Sequence, residues 1–193
     1  MVYQRAWLCV LDSQFIGLCV DRLGLVRPPV VTGADLTEGL LARLDGVTVA
    51  VIGMRPSSFN ALAARYPNIR FLHHQPPMGL LNHASGFDQA QKFACNSRAA
   101  FIFIALGSPV QELLAYAIWS RRDCPCIGLC IGAALEFSAG TAARAPTWMR
   151  SRGLEWLHRL YQEPTRLAGR YLVTDPKIIF GMLITAFRQK AHR

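Results

Sequence analysis

Short, unbroken apolar runs alternate along the chain with stretches of helical spacing, and this pattern predicts the elements. Residues 47–52 are apolar or β-branched at every position. A strand wetted on one face alternates polar with apolar, so an unbroken run marks a strand covered on both faces. Residues 99–106, Ala-Ala-Phe-Ile-Phe-Ile-Ala-Leu, form the strongest such run, and 7–11, 69–73 and 126–131 are shorter ones. Between them, 15–25 has helical spacing that stops at Pro28-Pro29. Asp35 is placed to cap a second helix, with Glu38 at the reciprocal position three residues on. Pro56 suits the first turn of a helix to about residue 66, residues 87–98 read as another, and a further helix follows Pro109 to about Trp119. Gly53 ends a strand, and Gln75-Pro76-Pro77-Met78-Gly79 reads as a loop. Strands alternating with helices through short turns imply right-handed crossovers. The expected fold is α/β: an open, mainly parallel, Rossmann-like sheet with helices on both faces. Such sheets carry ligand sites at the carboxyl ends of their strands.

Beyond Gly140 the pattern changes, and residues 146–152, 154–161, 164–171 and 176–189 read as short helices. Trp148, Trp156, Tyr161 and Tyr171 interleave there with Arg144, Arg150, Arg152, Arg159, Arg166 and Arg170. Arg-rich amphipathic helices with Trp and Tyr suit a membrane interface, basic side chains toward lipid phosphate. An ordinary helical subdomain packed on the sheet has the same pattern, and both readings can hold for different faces. Charge counting sharpens this division. The chain carries net charge +9, but residues 1–140 hold 11 basic against 9 acidic groups and residues 141–193 hold 10 against 3. The excess thus belongs to a basic helical C-terminal appendage, 141–193, set after an α/β core, 1–140. A basic segment attracts phosphate-rich partners: nucleic acid, an anionic membrane surface or a phosphorylated ligand.

At 193 residues, 52% apolar and 17% charged, the chain is too apolar for a disordered tail and long enough for one core without a staple. The residues before Asp12 include one basic residue and no small-residue cleavage site, so no secretory signal is expected. The most apolar late stretch, 178–187, is about half of what crossing a bilayer requires. Six cysteines then read as reduced thiols of a cytosolic protein. Cys124-Pro-Cys126 and Cys130 lack the usual zinc spacing, and no metal is expected.

Familiar catalytic signatures are absent: no G-x-S-x-G elbow, no phosphate loop ending in Gly-Lys-Ser/Thr, no G-x-G-x-x-G after a strand, no H-E-x-x-H. What remains is a set of polar residues at predicted strand ends. Asp12 closes the first run, Thr32-Gly33-Ala34-Asp35-Leu36 forms a turn into a helix, and Gly107-Ser108-Pro109-Val110-Gln111-Glu112 closes the strongest strand. Taken singly, each also reads as an ordinary turn or cap.

Taken together, these turns and four later motifs, Arg144-Ala145-Pro146-x-Trp148, Gly153-Leu154-Glu155-Trp156-Leu157-His158-Arg159-Leu160, Glu163-Pro164-x-Arg166-Leu167 and Arg170-Tyr171, closely resemble in order the WecG/TagA/CpsF glycosyltransferases, glycosyltransferase family 26. The likeness runs from about residue 9 to residue 173. The resemblance implies an inverting enzyme that moves a sugar from a UDP-sugar to a polyprenyl-diphosphate-linked saccharide in exopolysaccharide, teichoic acid or surface-antigen synthesis. N-acetylmannosamine, its uronic acid and glucose are the implied donor sugars. No cofactor or metal is implied. The implied partners are the UDP-sugar, the lipid-linked acceptor and the inner face of the cytoplasmic membrane, met peripherally; no nucleic acid is implied, and a homo-oligomer is compatible.

By the same resemblance Asp12, in an Asp-Ser setting, is the general base that deprotonates the acceptor hydroxyl. Gln111 hydrogen-bonds donor or acceptor, Thr32 and Asp35 shape the site together with Gly107, Pro109 and Glu112, and Arg159, Arg166 and Arg170 hold the diphosphates. Guanidinium offers bidentate, metal-free charge neutralisation for that task. Members of the family usually carry a strand and a Thr-x-Asn motif ahead of the matched aspartate. This chain is expected to lack that first strand and helix, which would leave residues 9–11 near an open sheet edge. Two other readings stay open: a member that binds lipid-linked sugar or a partner enzyme without transfer, and a nucleic-acid module supported by charge alone.

Overall fold

The computed structural model describes residues 2–121 and 123–169, together with Gly181 and Ile184. In chain order the elements are a 3-10 turn at Val2–Arg5, α1 (Gln14–Arg22), α2 (Gly33–Leu41), β1 (Thr48–Gly53), α3 (Pro56–Arg65), β2 (Arg70–His74), a 3-10 turn at Leu80–Asn82, α4 (Ala84–Asn96), β3 (Phe101–Ala105), α5 (Val110–Ser120), β4 (Ile127–Cys130), α6 (Ala134–Ser138), α7 (Thr147–Ser151), α8 (Glu155–Gln162) and α9 (Pro164–Gly169). They fall into two compact units: Met1–Cys9 with Gly33–Ala143, and Val10–Thr32 with Arg144–Arg193.

The first unit is built on a parallel sheet of order β2-β1-β3-β4. The two unbroken apolar runs are its central strands, as expected of segments covered on both faces. Val49, Val51 and Phe103 face Leu41, Leu62 and Leu135 on one side. Ala50, Ile52, Ile102 and Ile104 face Ala90, Ala94, Leu114 and Ile118 on the other. The distribution of helices follows from connection geometry. From β1 the chain steps outward to β2, then back past β1 to β3 and on to β4, so crossovers of one hand must lie on opposite faces for the two directions. Accordingly Leu62 of α3 packs on one face, and residues of α4 and α5 pack on the other.

Near its carboxyl end the β1–β3 pair closes tightly. Gly53 has φ +96°, and a Cβ there would stand 2.5 Å from the carbonyl oxygen of Ala105. Glycine is required at this position by conformation and by space together.

The second unit is helical. Ser13 caps α1, its Oγ accepting from the Ile16 N–H at 3.2 Å. Phe15 of α1 stacks at a tilt on Trp156 of α8, with ring centroids 6.3 Å apart. Gly153, at φ +71°, lets its backbone approach that of Phe15, where a Cβ would lie 3.0 Å from Phe15 N and Cα.

Several expectations need correction. Residues 7–11 form no strand: Leu11 makes one isolated parallel bridge to Val30, and Trp7 is 96% exposed. An apolar run specifies burial or pairing only where a neighbour exists to supply it. The edge strands of the sheet are β2 and β4. Helix α2 begins at Gly33, so Asp35 sits inside its first turn and not at the cap. Its carboxylate still meets the positive end of the helix there. Thr37, one turn on, returns its hydroxyl to the Gly33 carbonyl at 2.7 Å. The helix expected at 15–25 stops at Arg22, and the last expected helix, 176–189, lies outside the described residues except for Gly181 and Ile184, which are helical. Among the described residues no helix is long and apolar enough to cross a membrane.

Two glycines separate the conformational from the steric part of this account. Gly46 has φ +75° and open space around a Cβ, whereas Gly53 has both a positive φ and the Ala105 contact. Gly46→Ala should cost about 1 kcal/mol in chemical denaturation and Gly53→Ala roughly 3 kcal/mol or more. Equal losses would contradict the tight closure of β1 on β3.

Candidate active site

The strand order reverses between β1 and β3: the chain leaves β1 toward α3 on one face and leaves β3 toward α5 on the other. In open parallel sheets the space outside the carboxyl ends at such a reversal is where ligands bind. Register brings the four strand ends level there, with Gly53 opposite Ala105, Ile52 opposite His74 and Ile104 opposite Cys130.

On the β1 side, Gly53 is followed by Met54, a buried residue with φ +69°. A non-glycine side chain is rare in this region, and the conformation is held by the surrounding packing. Pro56 at the first helical position then starts α3. On the β3 side, Gly107, Ser108 and Pro109 are exposed, with a cis peptide between Ser108 and Pro109. The Gly107 carbonyl accepts from the N–H groups of Val110 and Gln111 at 3.0 and 3.3 Å, which turns the chain into α5.

The first turn of α5 carries the pair Gln111 and Glu112. Gln111 is 9% exposed, and its amide is engaged at both ends. Its Oε1 accepts from the backbone N–H of Gly132, past the end of β4, at 3.0 Å. Its Nε2 donates to Glu112 Oε1 at 3.0 Å. Glu112 Oε1 also accepts from the Tyr3 hydroxyl at 3.1 Å, while Glu112 Oε2 is buried with no hydrogen-bond partner among the described residues. Tyr3 is anchored at its hydroxyl although the residue as a whole is 62% exposed. Desolvation of the hydroxyl first, then the Glu112 carboxylate, pushes its pKa above the ordinary phenol value, against an opposing hydrogen bond with Ser108. Tyr3 therefore remains a donor at neutral pH.

At the end of β2 stand two histidines that periodicity does not single out. His73 stacks on Phe59 with centroids 4.3 Å apart, and its Nε2 lies 2.8 Å from the Gly53 carbonyl. A carbonyl accepts, so that nitrogen carries the proton. His74 stacks on Phe93 at 5.2 Å, and its Nε2 is buried without a partner among the described residues. Burial, and secondarily His73, hold its pKa below the ordinary histidine value.

The first unit thus gathers Gly107, Pro109, Gln111 and Glu112 at one turn, and places Asp35, exposed, in the first turn of α2. The second unit holds Asp12, exposed and immediately before the cap residue Ser13, and Thr32, whose Oγ1 accepts from Arg144 Nη2 at 2.9 Å. It also holds Arg159, which donates to Glu155 Oε1 at 3.1 Å one helical turn earlier. Arg166 belongs to α9, its side chain not described, and Arg170 lies outside the described residues. Tyr3, Met54, His73 and His74 were missed by sequence reasoning; the histidine pair ending a predicted strand is the one available signal among them.

The described cysteines are free thiols. Cys124 and Cys126 sulfurs are 3.6 Å apart, and burial pushes both thiols up and that of Cys95 to about 12. In the metal-free protein these thiols stay protonated at neutral pH. No group of three His, Cys, Asp or Glu among the described residues is arranged to hold a metal ion.

A parallel α/β sheet with a polar, partly exposed turn at its topological reversal places the chain among the open-sheet proteins, whose ligand sites lie at such reversals. Within that class the chain belongs to the glycosyl transferase WecG/TagA/CpsF family, whose model matches residues 1–192. It is accordingly a glycosyltransferase of cell-surface polysaccharide biosynthesis.

The depressed pKa of His74 has a pH consequence. The folded protein binds this proton less well than the unfolded chain, so its contribution is present above pH ~6.5 and is lost as pH falls below that value. Thermal melts at pH 7.5 and 5.5 should show a fall in Tm that is smaller in His74→Phe, which keeps a ring against Phe93 but cannot take a proton. An equal fall in both proteins would contradict the assignment.

Proposed function

We propose that the protein is an inverting glycosyltransferase that moves N-acetylmannosamine, its uronic acid or glucose from a UDP-sugar to a polyprenyl-diphosphate-linked saccharide. The reaction serves exopolysaccharide, teichoic acid or surface-antigen synthesis, with the protein peripherally bound at the inner face of the cytoplasmic membrane. The observation that carries this reading is the family's Pro-x-Gln-Glu turn: it closes β3 at the reversal of strand order, with the Gln111 amide held in a defined orientation.

In the proposed step the acceptor hydroxyl oxygen attacks the anomeric carbon as the bond to the UDP oxygen breaks on the opposite side. Asp12 takes the hydroxyl proton, and the electron pair of the broken bond leaves on UDP. The exposure of Asp12 suits a carboxylate that must meet a substrate hydroxyl. Gln111 and Glu112 orient the reacting sugar, with Thr32, Asp35, Gly107 and Pro109 shaping the site. Guanidinium groups of Arg159, Arg166 and Arg170 neutralise the diphosphates without a metal or other cofactor. The exposed aromatics Trp148 and Tyr161, and Arg152 stacked over Trp148 at 5.8 Å, support the membrane surface as a partner in preference to nucleic acid. A homo-oligomer is compatible with this reading.

A panel of UDP-sugars assayed with a polyprenyl-diphosphate-N-acetylglucosamine analogue tests the proposal. The wild type should transfer one of the sugars equally with and without EDTA, and Asp12→Asn should lower kcat by about 100-fold or more. Full activity in Asp12→Asn would remove the assigned base. Loss of activity in EDTA would overturn metal independence. Acceptor binding without transfer from any donor would instead favour a member that binds lipid-linked sugar and does not turn it over.

A further inference from the structure

The hydrogen bonds around Glu112 join three segments far apart in the chain: residue 3, residues 111–112 and residue 132. One carboxylate oxygen, Glu112 Oε1, accepts from the Tyr3 hydroxyl and from Gln111 Nε2, and the far end of the Gln111 amide accepts from the Gly132 N–H. The two ends of that amide therefore face partners of opposite character. A flip would set its oxygen against a carboxylate and its nitrogen against an N–H, losing both bonds. One N–H of the Gln111 amide is taken by Glu112, and the other makes no bond within the described residues. It is the donor this side chain can offer to a ligand.

The orientation of the amide depends on where the Glu112 carboxylate is held, and Tyr3 supplies the contact from outside the turn. Tyr3 is mostly exposed and adds little to the core, so its contribution lies in the hydroxyl and not in packing. The Val2–Arg5 turn packs against α5, which brings that hydroxyl to the carboxylate.

We propose that Tyr3 is a positioning residue of the transfer site. Acting through Glu112, it fixes the Gln111 amide so that the spare N–H of Gln111 is presented to an oxygen of the sugar-diphosphate substrate. This rests on the transferase reading above, but the orienting contact can be measured apart from activity, because the Gly132 backbone N–H reports whether Gln111 Oε1 is in place.

Tyr3→Phe, which deletes only the hydroxyl, is compared with the wild type, Glu112→Ala and the double variant. Melting temperature and exchange of the Gly132 and Ile104 amides are followed by NMR, and transfer kinetics use the UDP-sugar and lipid-diphosphate analogue. In Tyr3→Phe, Tm and Ile104 exchange should be unchanged, Gly132 exchange should quicken about tenfold, and kcat should fall about tenfold with the donor KM unaltered. Adding Tyr3→Phe to Glu112→Ala should have no further effect, because the shared acceptor is already gone. Unchanged Gly132 exchange, unchanged kcat, or full multiplication of the two effects would overturn the proposal. A wild type that transfers no sugar would instead overturn the transferase reading, and Gly132 exchange would still decide whether Tyr3 holds Gln111.

Discussion

The parallel pairing of β1 with β3 is the constraint on which the rest of the first unit depends. Val49 pairs with Phe101 and the ladder runs without interruption to Gly53 and Ala105, so both strand ends arrive at the same level. Because the two strands are central, their side chains must be apolar on both faces, and the helices that cover them divide according to the direction of each crossover. The closeness of Gly53 to Ala105 is the end point of that packing. It forces the chain to leave β1 through two successive residues of positive φ, Gly53 and Met54, and so sets where α3 begins.

What this geometry provides for chemistry is a rigid platform with a polar turn on it. Residues 107–109 are exposed, while Gln111, two residues on, is nearly buried and bonded to the end of the next strand. A side-chain amide tied between a carboxylate and a backbone N–H gives up freedom before any ligand arrives. Preorganised donors act in this way at transfer sites, since no reorganisation is then needed as charge develops. The second unit, taken by itself, carries an exposed carboxylate at Asp12 and, in α8, Arg159 tethered by Glu155 in a partly exposed pair. Such a pair contributes little to stability, and an anion of higher charge can compete for the guanidinium.

The sequence was most legible where one physical cause dominates. Unbroken apolar runs at 47–52 and 99–106 read correctly as central strands because burial on both faces leaves no room for a polar residue. Pro56 read correctly as a helix start because its missing N–H costs nothing there. The run at 7–11 misled because hydrophobicity does not say which strand, if any, is available to pair. Asp35 was read as a cap because its residue type favours that role, but Gly33 accepts helical geometry and the helix starts earlier. At the site, the order of motifs located the Gly107–Glu112 turn. The bonds that orient it were hidden, because a contact between residues 3 and 112 leaves no periodic trace. Nor does residue type announce the left-handed backbone of Met54 or the stacking of Phe15 on Trp156, which ties residues 10–32 to the C-terminal helices.

The central claim is that ligand binds outside the carboxyl ends of the parallel strands, at the reversal between β1 and β3. Titration of the protein with UDP, followed through backbone amide shifts, tests it most directly. Shifts should concentrate at Gly53, Gly107 and Gly132, leaving Thr48, Phe101 and Ile127 at the amino ends of their strands unmoved. Shifts confined to those amino ends would contradict it.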